Sequence, residues 1–110
     1  MSNLDPSLLT GDMLKATEQI LKERKQDAQV YAHRAFRKLA DVICEIQNKC
    51  ESGKITREHA QALLRIGRNT AISVLLAVKG LSQGAAEDVT NAALSAVKVA
   101  VNEALGWMLL

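Results

Sequence analysis

Between Asp12 and Ser52 the chain contains neither glycine nor proline, and no other feature restricts its fold so tightly. These two residues are the usual helix breakers, glycine through backbone freedom and proline through its missing N–H. Without them, the spacing predicts one long helix over about 12–50. Apolar positions such as Met13, Ile20, Ala28, Tyr31, Ala35, Leu39, Val42, Ile46 and Cys50 fall on steps of three and four. That rhythm favours a nearly straight packing seam.

Punctuation outside this stretch is clear. Asp5-Pro6 reads as a cap followed by proline at the first helical position, giving a short turn over 5–10 that Gly11 ends and Thr10 with Asp12 restarts. Ser52-Gly53 stops the long helix. Thr56, with Glu58 in the first turn and Ile55 just outside, starts a second helix over about 57–79 that Lys79-Gly80 closes. Ser82 and Gly84 open a third over about 84–110. A chain of 110 residues with one proline and 3% aromatics is thus expected to form a single all-α domain over 1–110, an antiparallel three-helix bundle with an overlong first helix. The alternative is a four-helix bundle with a break near residues 22–29.

The two shorter helices differ in surface. Ala60, Leu64, Gly67, Ala71, Val74 and Val78 form a coiled-coil-like seam on the second, with Ile66, Ile72 and Leu76 lying off it. On the third, Ala92, Ala96, Ala100 and Ala104 make a small ridge beside the bulkier Val89, Ala93, Val97, Val101, Leu105 and Leu109. A ladder of alanines lets another helix approach closely.

Length then carries the functional reading. At ~1.5 Å per residue a 12–50 helix extends roughly 58 Å, whereas its companions reach about 35 to 40 Å. The first helix therefore overhangs its bundle, with Lys22 to Gln29 as a solvated bridge between two apolar patches. Each large side chain left exposed there forfeits roughly 1.5–3 kcal/mol of burial. The expected remedy is company: a homo-oligomer or a helical protein partner, bound through Leu9, Met13, Leu14, Ile20 and Leu21, with Trp107 and Leu109 as a second anchor. The function so implied is that of a helical interaction or scaffolding module.

A second reading is a polyanion site, nucleic acid included. Arg34, Arg37 and Lys38, beside His33, are brought by the hairpin alongside Arg65 and Arg68, and guanidinium groups suit phosphate oxygens. Against it stand a formal charge of only +2, Asp41 and Glu45 placed to pair with the arginines, and no aromatic platform for bases. A third is a membrane-active protein that opens to expose Ala71 to Val101. No apolar run approaches the ~20 residues of a membrane span, so membrane association is the least favoured partner class.

No constellation points to an enzyme, a metal or a cofactor. NKCESGKITREH resembles a calcium loop only at its glycine, since His59 stands where a bidentate Glu is needed. His33 and His59 lack carboxylate companions at ligand spacing. Cys44, inside LADVICEIQ, reads as a packed thiol, and six residues along one helix separate it from Cys50, so both are expected reduced. The opening MSNLDPSLLTGD lacks a secretory pattern, which predicts a cytoplasmic protein.

Overall fold

A computed structural model describes residues 4–22 and 27–110. Among them the chain is all-α, but the three-helix expectation is corrected: there are four helices, α1 (Pro6–Lys22), α2 (Asp27–Glu51), α3 (Arg57–Leu75) and α4 (Gln83–Leu105). The single rod over 12–50 does not form. Instead α1 lies back along α2, so that the Leu4 N–H donates to Gln47 Oε1 at 2.9 Å near the far end of α2. Residues 23–26 of the expected solvated bridge fall outside the described residues. The longest dimension of the molecule is 42 Å, well short of a ~58 Å rod.

The helices run up, down, up and down. α1 packs on α2 and α4, α2 on α3, and α3 more loosely on α4, while α1 and α3 lie on the diagonal without contact among the described residues. This is the arrangement that short connections give to four amphipathic helices. Its core is built from Met13 and Leu21 of α1, Phe36, Leu39, Ile43 and Ile46 of α2, Leu75 of α3, and Val89, Val97 and Val101 of α4. Alanines 28, 32, 35, 71, 86 and 93 fill the close approaches between them. Buried Thr17 and Thr90 donate to the carbonyls of Met13 and Ala86 at 2.9 Å, so neither hydroxyl is orphaned.

The folding back of α1 has a plain energetic reason. Leu9, Met13 and Leu21 are all buried within the chain, and each removes apolar surface worth roughly 1.5–3 kcal/mol. Helix propensity differs among ordinary residues by at most about 0.7 kcal/mol. Continuity therefore loses to packing.

At its start, α1 follows the sequence cues and then departs from them. Asp5 Oδ1 accepts from the Ser7 N–H at 2.8 Å, as a cap before Pro6 should. The predicted stop at Gly11 and restart at Thr10 do not occur. Gly11 sits in open space on the outer face, and Thr10 Oγ1 donates back to the Pro6 carbonyl at 2.7 Å rather than capping a new start.

Later boundaries match more closely. Gly53 adopts φ +71° beyond α2, and the Lys54 N–H reaches the Lys49 carbonyl at 2.9 Å to close the helix end. Thr56 and Ser82 accept from the N–H groups of His59 and Ala85, each at 3.1 Å. α3 ends at Leu75, earlier than expected, in tight turns through Gly80. α4 stops at Leu105 rather than running to 110, because Gly106 (φ +81°) reverses the chain and Asn102 Oδ1 accepts from both Leu109 and Leu110 N–H groups at 3.0 Å.

Candidate functional site

The residues expected to wait for a partner are mostly occupied by the chain itself. Leu9, Met13 and Leu21 are core residues, Leu14 packs partly against that core, and only Ile20, at 40% exposure, stands largely outside. Trp107 is half-buried against the α2–α3 turn, in a recess it shares with Cys50 and Ile55, and the Arg57 guanidinium lies 5.2 Å from its ring centroid. Leu109 is buried along the seam between α3 and α4. The overhang that motivated these assignments does not exist, and Leu9, Met13 and Leu21 belong to the bundle's own interior.

The basic residues are parted as well. His33, Arg34, Arg37 and Lys38, with Gln29 and Val30, line an open concavity of about 670 Å³ on α2. Arg65 and Arg68 open onto a different groove, between α3 and the C-terminal tail, with Gln61, Leu64, Asn69 and Leu109. Several of these groups already have partners. Arg37 pairs with Asp41 one turn on at 3.4 Å and donates to Ser7 Oγ, Arg34 stands 5.6 Å from the centroid of the Tyr31 ring, and Arg68 donates twice to Asn91 Oδ1 at 3.0 and 3.2 Å. Asp41 thus pairs along its own helix, and Glu45 does the same with Lys49 at 2.8 Å.

Reactive chemistry finds little support in the thiols. Burial pushes the Cys44 thiol up, helped by the Asp41 and Asp5 carboxylates and opposed by Arg37, and its Sγ lies 3.5 Å from the Leu4 carbonyl as a donor. Burial raises Cys50 too, against the pull of Arg57. A thiol held protonated is a poor nucleophile. Among the described residues no three or more His, Cys, Asp or Glu side chains are grouped to hold a metal ion, and no helix is long and apolar enough to cross a membrane.

An apolar groove also opens between α2 and α3. Val42, Ile46, Leu63, Ile66, Gly67 and Thr70 line it, Lys38 and Glu45 stand at its rim, and its volume is about 140 Å³. It exists because α3 lies close on α2 at Gly67: a Cβ built there would sit 3.1 Å from Val42 Cγ1. Ile66, at 62% exposure, forms one wall. Thr70 Oγ1 donates to the Ile66 carbonyl at 3.0 Å, so covering it orphans no hydroxyl.

Along the outward side of α3 and into the turn after it, the exposed Ala62, Ile66, Thr70, Ser73 and Ala77 recur at steps of four and three. Between His59 and Lys79 the only charges on α3 and the turn after it are Arg65 and Arg68, which line the groove beside Leu109. The sequence held one sign of this site, Ile66 lying off the helix seam. What it lacked was the rotation of α3 that brings Gly67 against Val42 and leaves Ile66 outside. Comparison with protein-family models, curated proteins and solved structures yields no match for this chain.

Proposed function

We propose that the protein is a non-enzymatic helical interaction module that docks another helical protein surface in the α2/α3 groove. The observation that carries this reading is Ile66, a branched aliphatic side chain 62% exposed at the edge of an apolar groove on an uncharged helix face. Apolar surface of this kind, rimmed by charges, marks protein contact sites. Small neighbours such as Ala62, Ser73 and Ala77 let a second helix come close. Two unbridged cysteines fit the reducing cytoplasm, where we place it.

Polyanion binding is the weaker reading, because the six basic groups face two separate grooves and Arg37 and Arg68 are engaged within the chain. Membrane insertion would require opening a core in which Ala71, Val89, Val97 and Val101 are buried. Salt separates docking from phosphate contact: apolar docking holds or strengthens as salt rises, whereas phosphate contacts weaken steeply.

The direct test places a photo-crosslinking amino acid at position 66 in the cells that make the protein, with control sites at 20 and 99. Protein adducts at 66, abolished by Leu63→Glu and absent at the controls, are expected. Adducts at 99 or 20 but none at 66 overturn the reading.

A further inference from the structure

Resting on that reading of the groove, we propose that its occupant is a second copy of this chain, packed face to face about a two-fold axis that crosses α2 and α3 at the level of Val42 and Gly67. The groove is self-complementary in charge. Lys38 and Glu45 lie on one stripe of α2, on either side of Val42. A two-fold axis at Val42 runs the two α2 helices antiparallel, so each Lys38 faces the Glu45 of the other copy.

The groove is self-complementary in shape at the same level. Leu63 and Thr70 are centred between Ile66 and Gly67, and Val42 is the side chain a Cβ at Gly67 would strike. Both centres therefore share one height on the bundle. The axis that pairs Lys38 with Glu45 also lays α3 antiparallel on α3, with each Ile66 over the other copy's Gly67 and each Leu63 beside Thr70. Val42 already fills the place of a Gly67 side chain, and the groove beside them, of about 140 Å³, has room for one aliphatic side chain.

Charges elsewhere tolerate this arrangement. Arg65 and Arg68 line the separate groove beside Leu109 and stay outside the contact. Glu45 already holds Lys49 at 2.8 Å and accepts Lys38 of the other copy as a second cation. Arg34 and Lys49, level with one another across the axis but farther from it, are carried apart when the helices cross at about 20–50°. An unrelated partner helix has no reason to carry its opposite charges at this same spacing and height.

The test is the solution mass of the full chain across the micromolar range, with four variants. Wild type is expected to dimerise and Ile66→Glu to be monomeric; position 66 is exposed, and far-UV circular dichroism of the variant should keep the helical signal. Lys38→Glu and Glu45→Lys should each weaken the dimer roughly tenfold, because symmetry places every change in two pairs. Combining the two reversals should recover wild-type affinity to within about threefold, since each repulsive pair becomes attractive again. A monomer at all concentrations overturns the second copy; if position 66 still crosslinks a protein of different mass, the docking reading survives without it. Absence of rescue in the double reversal overturns the two-fold register. A dimer that withstands Ile66→Glu but falls to Val99→Glu, on the outer face of α4, overturns both.

Discussion

Met13 offers the sharpest check on the return of α1 to the bundle. Its side chain is fully buried, at 0% exposure, whereas Ile20 on the same helix is 40% exposed. Truncating a buried Met to Ala removes the transfer energy of its lost atoms and leaves a cavity, typically about 2–5 kcal/mol. For a chain of this size that corresponds to a melting temperature lower by roughly 10–25 °C, a large part of the ~5–15 kcal/mol that holds a domain folded. Ile20→Ala, which gives up surface already partly in water, should cost clearly less. Both changes are best made in the Ile66→Glu background, where self-association does not contribute. Urea unfolding followed by far-UV circular dichroism reads the midpoint, and an unchanged slope shows that the same surface is exposed in each variant. If Met13→Ala costs less than about 1 kcal/mol, or no more than Ile20→Ala, α1 is not part of the core and the four-helix packing is refuted.

Three further outcomes are expected. Gly67→Ala gains about 1 kcal/mol of helix propensity but drives a Cβ to 3.1 Å from Val42, an overpacking of about 1–3 kcal/mol, so denaturant melts should show a net loss of up to ~2 kcal/mol. Asn102→Ala removes the acceptor shared by Leu109 and Leu110, and a red shift of Trp107 emission with a loss of about 1–2 kcal/mol should report release of the tail. Because burial raises both thiols in the folded state, their contribution is fully present below the ordinary thiol pKa and declines as pH rises through it toward the folded values. Stability measured against alkaline pH should therefore fall, and Cys44→Ala should flatten part of the decline.

The single 12–50 helix expected from the sequence gave way to two helices for a traceable reason. Every local signal between Asp12 and Ser52 permits a helix, and continuity was inferred from the absence of breakers. Yet Leu9, Met13 and Leu21 repeat at a helical spacing that serves an internal core as well as an external partner, and periodicity cannot say which. With them inside, most of the expected partner face is core, while Ile66, which lies off the seam of its helix, is exposed. The basic residues are parted for a similar reason: level along a hairpin was legible, but not the rotation that gives Arg65 and Arg68 a groove beside Leu109 and leaves Arg34 and Arg37 in a separate concavity on α2.

What the sequence determined alone was local: the all-α class, the caps at Thr56 and Ser82, and the reversals at Gly53 and Gly80, because a hydroxyl acceptor or a missing Cβ acts within one turn of chain. Tertiary structure decided the rest. The separation of α1 from α2, the stop of α4 at Leu105 and the α2/α3 groove each depend on side chains far apart in sequence, whose mutual burial outweighs propensities of a few tenths of a kcal/mol per residue.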